Sequence, residues 1–199
     1  MEGSGLWEHV LTIFIASALI NNFVFARYLG LCIFFGVTKR METAVGMSIT
    51  FTAVMVISSV LSWVVYKYIM VPYHLEYLKI VIFIGIVAAF VQAADTIMKK
   101  KTPALYYKLG IYLALIVTNC IIIAVPLINA GEEYGLFESI ALAFGSGVGF
   151  SLALIIMASI REKLDLADVP KSFQGLPIAF VLTGLIALAF LGFSGMITL

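Results

Sequence analysis

Charge is what this sequence has least of. Only 12% of its 199 residues are Asp, Glu, Lys or Arg, against 63% hydrophobic, and the mean hydropathy is +1.13. A water-soluble domain does not have that balance, because such apolar runs outgrow any single core. A net charge of +1 leaves no electrostatic case for binding nucleic acid. Two cysteines cannot build a disulfide framework. The two histidines, His9 and His74, lie outside the long apolar segments and lack metal-ligand spacing. Ser–His–Asp sets, paired carboxylates and nucleotide fingerprints are all missing, so catalysis by this chain alone is not supported. "MEGSGLWEH" has no Lys or Arg, hence no positive n-region, and the first apolar segment is expected to stay in the mature protein.

What is present is a series of long uncharged runs. Val10–Ala26 and Tyr28–Thr38 flank Arg27. Ala44–Tyr66, Leu109–Gly131, Ser139–Ile160 and Ser172–Leu199 carry no charge, and Ile80–Met98 carries only Asp95. About 20 apolar residues span a bilayer as a helix. In lipid these segments must be helical, since an open strand would leave its peptide groups unpaired, and the alternating pattern of a barrel is absent. The expectation is an all-α integral membrane protein: six transmembrane helices in one membrane domain over residues 1–199.

Orientation follows from the cationic loops. With the N-terminus outside, the cytoplasmic loops hold Lys39, Arg40, Lys99, Lys100, Lys101, Lys108, Arg161, Lys163 and Lys171; the outer segments hold only Lys67 and Lys79. Both termini are therefore expected outside. The outer loop "NAGEEYGLFE" is acidic, with Glu132, Glu133 and Glu138. Six spans split into two halves of three, and an odd number per half forces inverted repeats, here about 8–100 and 105–199. That architecture places working sites near the midplane on interrupted helices. A faint echo supports it: "ALINNFVFA" at 18–26 resembles "ALIVTNCIIIA" at 114–124 after a two-residue gap, although Cys32 and Cys120 do not align in that register.

The first span is expected to be broken. Val10 to Thr38 as one helix would measure roughly 43 Å, against a hydrocarbon core of about 30 Å. Gly30 and Gly36 bracket Cys32 and are the weak points. Counting ~1.5 Å per residue puts Cys32 roughly 10 Å and Cys120 roughly 18 Å from the cytoplasmic boundary, compatible with one shared site. Either cysteine can be simply a small packing residue, and a bond between the two is open. As metal ligands, two thiolates are half of the usual four-cysteine iron–sulfur set, so a cluster requires a second chain; zinc fits less well, with no histidine in a span. Asn21, Asn22, Thr118 and Asn119 are either interhelical glue or the lining of an ion path. Arg27, inside a membrane segment, points to function or a paired partner. Asp95 lies four residues before Lys99, as in a helix-end ion pair, with ion coupling the other reading. Gly145 and Gly149 in "GSGVGF" have the spacing of close helix packing.

"NNFVFARYLGLC", "KRMETAVGM", "LGIYLALIVTNC", "GVGFSL", "IREKL-LADVP" and the terminal "LAFLGFSG" together resemble the A subunits of Rnf complexes. That family also takes in the related D and E subunits of sodium-translocating NADH:quinone reductase. The resemblance runs from about Asn21 to the C-terminus. It implies one component of a translocase in the bacterial cytoplasmic (inner) membrane that passes electrons between ferredoxin and NAD and couples this to sodium or proton movement. It implies partners as well, namely a homologous E subunit of opposite orientation and the Rnf subunits B, C, D and G. Finally, it implies a [2Fe–2S] cluster shared with the E subunit, to which this chain gives Cys32 and Cys120. The family's proline after the first cysteine is Ile33 here, and Ala114 replaces another before the second, so Gly30, Gly36 and Gly110 must permit the interruptions. The reading from a different class is a stand-alone secondary transporter with inverted repeats and no cofactor.

Overall fold

The computed structural model describes residues 3–73, 76–101, 116 and 119–192. Gly110, Ala114, Thr118, His74 and the side chain of Asp95 lie outside the described residues. Among the described residues every regular element is helical. Helix α1, Gly3–Ile15, runs on through a π-helical turn, Ala16–Ile20. The short α2 is Leu31–Val37. Helix α3, Met41–Val65, also ends in a π turn, Tyr66–Met70. A single 3-10 turn, Glu76–Leu78, leads into α4, Lys79–Lys101. Then come α5, Cys120–Gly131, α6, Leu136–Asp165, and α7, Leu176–Leu191.

Among the described residues two helices are long and apolar enough to cross a bilayer: Met41–Met70 and Leu136–Asp165. These two, α3 and α6, form an antiparallel pair at the centre. Its register is pinned at three levels, by Met41 N–H donating to Glu162 Oε1 at 2.9 Å, Thr52 against Ser151 at 3.4 Å, and Ser59 against Ser139 at 3.0 Å. Large apolar side chains stay exposed on the outside of the bundle, among them Ile49 on α3, Val81 on α4 and Leu188 on α7. A surface this apolar suits lipid and not water.

The predicted close packing at Gly145 and Gly149 is present. A Cβ on Gly145 would lie 2.7 Å from the Phe14 carbonyl oxygen, and one on Gly149 would lie 2.7 Å from that of Ala18. Without side chains there, α1 lies directly on α6, running parallel to it. The N-terminal ends are tied by His9 Nδ1 and Glu138 Oε1 at 2.9 Å. Glu138, expected in a loop, sits in the first turn of α6, where its other oxygen accepts the Gly135 N–H at 2.8 Å.

Candidate functional site

The chain leaves helical geometry twice near the middle of the α3–α6 pair, and each departure ends at a cysteine. The first begins after the π turn. Asn22, fully buried, donates through Nδ2 to Gly149 O at 2.8 Å and accepts the Val24 N–H at 3.0 Å. It therefore holds the unwound strand against α6, the interhelical role considered for it; Asn21 is only half-buried. The chain then stays irregular to Gly30, which caps α2 at φ +77°, ψ 11°. Cys32 is the second residue of that helix. The second is at Asn119, extended at φ −73°, ψ 124°, whose Oδ1 accepts the Ile121 N–H at 2.9 Å and caps α5. Cys120 is the first residue of α5.

The two caps abut. A Cβ on Gly30 would come within 2.8 Å of Ile121 Cδ1 and 3.3 Å of Asn119 Oδ1. From this meeting point the two short helices diverge. The C-terminal end of α2 lies at the C-terminal end of α6, where Arg161 bonds Phe35 and Thr38. The C-terminal end of α5 lies at the opposite end, where Asn129 Nδ2 donates to Ser59 Oγ at 2.9 Å and Ser139 Oγ at 2.7 Å. Both thiols are free and exposed on the chain's surface. Neither packs in the core, and they are not bonded to one another. Among the described residues no group of three or more His, Cys, Asp or Glu gathers at one point. What this chain offers near the meeting point is two free, exposed thiols.

Gly30 carries the interruption as expected, but Gly36 does not: it lies inside α2. The break runs ahead of the cysteine, over residues 21–30, because Asn22 and Gly30 supply the turn chemistry there. The Asn-based sequence echo pairs Asn21 with Asn119, but it is Asn22, one residue on, that shares with Asn119 the bond to the N–H two residues ahead. The helix starts instead pair Gly30 with Asn119, which brings Cys32 and Cys120 to within one helical position of each other. A Gly30→Ala variant should lose stability by about 1–2 kcal/mol from the left-handed backbone alone, with the Ile121 clash added. Thermal unfolding of the purified protein should shift down accordingly, and an unchanged midpoint would refute the strained cap.

Arg27 is exposed, on the irregular stretch, with its guanidinium carbon 5.6 Å from the centre of the Phe23 ring. It lines a cavity of about 130 Å³ with Ser17, Asn21, Glu132 and Tyr134. At that cavity's mouth, in the α5–α6 loop, burial and then Glu132 and Glu138 push the Tyr134 phenol up, so it stays protonated at neutral pH. Tyr28 has φ +55°, a bulky side chain in a region such residues rarely enter, which marks the stretch as strained.

Sequence reasoning missed Arg161. It counts there as one more loop cation, yet it is 8% exposed, inside α6, and its Nη1 donates to Phe35 O at 3.0 Å and Thr38 Oγ1 at 2.9 Å.

An all-helical membrane component with two free, exposed thiols at the starts of two abutting helices is what the geometry defines. The chain belongs to the Rnf-Nqr family of membrane protein subunits, whose sequence profile matches residues 10–197. It is 54% identical over 189 residues to the A subunit of the proton-translocating ferredoxin:NAD(+) oxidoreductase complex of Clostridium ljungdahlii, covering 95% of this chain and 98% of that one. It is 48% identical over 187 residues to the A subunit of the Na(+)-translocating ferredoxin:NAD(+) oxidoreductase complex of Acetobacterium woodii, covering 94% and 97%. With the A subunit of the ion-translocating oxidoreductase complex of Syntrophotalea carbinolica it shares 45% over 190 residues, covering 96% and 98%. Relatives named as subunits of an oxidoreductase complex do not favour the stand-alone transporter.

Proposed function

We propose that this chain is the A subunit of an ion-translocating ferredoxin:NAD+ oxidoreductase complex and supplies Cys32 and Cys120 to a [2Fe–2S] cluster completed by two thiolates of the homologous E subunit. One observation carries the reading: both thiols stand free at the starts of two short helices whose caps abut, exposed on one chain that offers no further donor beside them among the described residues. The donor set fits the group, because thiolates hold such clusters in fours and two here leave two for a neighbour. When bound, the cluster supplies a one-electron carrier. The chain's own residues do the holding. Asn119 fixes the first turn of α5, Gly30 lets the two caps approach, and Ile33, Phe34, Phe35 and Val37 seat α2 in the core.

The arrangement is best read as six crossings in two inverted repeats, with both termini outside the cytoplasmic membrane. The divergence of α2 and α5 from a common point is the local signature of that inversion. The first crossing is α1 with α2, the fourth is completed by α5, and α3 and α6 are the second crossing of each half. As partners, the E subunit shares the cluster, and the B, C, D and G subunits complete the complex. The test is electron paramagnetic resonance on the purified complex, reduced with dithionite. A [2Fe–2S] signal is expected from the parent and not from a Cys32→Ala variant; the same signal at the same intensity in both would rule this function out.

A further inference from the structure

Helix α2 has seven residues, under two full turns. A helix that short has no stability of its own, and its N-terminal flank is the irregular stretch 21–30. The seat of Cys32 is therefore set from elsewhere. Part comes from the side, where the Phe35 ring lies 4.2 Å from that of Phe180 on α7. The rest comes from the far end. Carbonyls in the last turn of a helix lack intrahelical partners, and a cation there also meets the negative pole of the helix. Arg161 answers both. It reaches the Phe35 carbonyl and the Thr38 hydroxyl, and Thr38 in turn donates to Phe34 O at 2.8 Å. The next residue, Glu162, accepts the Met41 N–H at the start of α3. Consecutive residues of α6 thus grip both sides of the α2–α3 turn.

We infer that Arg161 is a positioning residue for Cys32, fixing the axial seat and rotation of α2 so that its thiol meets the neighbouring chain's face in one geometry. Both of its bonds come from a single nitrogen, so the demand is for a cation with two donors and not for a planar fork. Lysine meets that demand, although it is shorter; methionine, of similar length, does not. That Cys32 then ligates a cluster rests on the function proposed above; the seating of α2 does not.

The two are tested separately. In the full chain in lipid nanodiscs, with Cys120→Ala leaving one thiol, a nitroxide attached to Cys32 reports the order of α2. Arg161→Met should add a mobile component to its spectrum, absent from the parent and from Arg161→Lys. If Arg161→Met fails to accumulate, Thr38→Val removes one acceptor and should give the same change at smaller amplitude. In the assembled complex, Arg161→Met should alter the line shape or midpoint potential of the [2Fe–2S] signal, and Arg161→Lys should restore it. A parental nitroxide spectrum in Arg161→Met overturns the inference. A parent complex with no [2Fe–2S] signal overturns the proposed function, and the nitroxide result still decides the role of Arg161.

Discussion

A complex carrying Cys120→Ala is expected to assemble in the membrane and to lose the iron and sulfide of one [2Fe–2S] cluster. Its ferredoxin-dependent NAD+ reduction should fall by more than about a hundredfold, since loss of a ligand exceeds the 10- to 100-fold penalty of losing a residue that merely supports one. Folding should survive for physical reasons. Cys120 is exposed, so no core volume is lost. It is the first residue of α5, where alanine is a good helix former, and Asn119 still caps the turn through Ile121. Iron and sulfide analysis of parent and variant complexes prepared together, with turnover measured on the same samples, checks this. Equal cluster content would remove Cys120 from the ligand set.

The largest structural effect is expected at Gly145. A leucine there would drive its Cβ into the Ser17 hydroxyl and to 2.7 Å from the Phe14 carbonyl oxygen. A backbone carbonyl cannot step aside, so α1 as a whole must lift from α6. The cost is about 1–3 kcal/mol or more from overpacking alone. The Asn22–Gly149 bond one turn further along would stretch with it, freeing the start of the irregular stretch. Most of the variant should be lost to aggregation when extracted in mild detergent and run on a sizing column. Gly184→Leu is the matched control: on α7, a Cβ there meets nothing within 4 Å, and the variant should elute as the parent does. A monodisperse Gly145→Leu protein would mean that α1 and α6 are not packed at that point.

Much of the architecture is legible in the sequence because lipid imposes strong rules. Uncharged runs must be helices, and the glycine spacing at 145 and 149 has one good structural use. The two cysteines stand out for being so few. What the sequence hides are bonds whose partners are peptide groups. Arg161 reads as a loop cation because its partners, the Phe35 carbonyl and a threonine hydroxyl, leave no complementary charge to notice. Glu138 reads as loop acid for a similar reason: one oxygen goes to a backbone N–H and the other to His9, 129 residues away. Gly36 shows the opposite error. Glycine permits a break but does not require one, and the residues that demand one, Asn22 and Gly30, stand earlier. The sequence echo, aligned on asparagines, fell one residue short of the shared turn chemistry and missed the shared helix start.

The stretch from Asn22 to Gly30 has a consequence for the life of the protein in the cell. It holds peptide groups outside a helix beside the middle of α6, with Ala26, Arg27 and Tyr28 turned outward; in the six-crossing arrangement proposed above, hydrocarbon there offers nothing to pair with. On the function proposed above, a newly made copy is unfinished until its neighbour arrives, and a surplus of it should be recognised and degraded by the proteases that patrol the bilayer. Abundance of this chain would then be fixed by synthesis of its companion, with no dedicated regulator needed to keep the ratio.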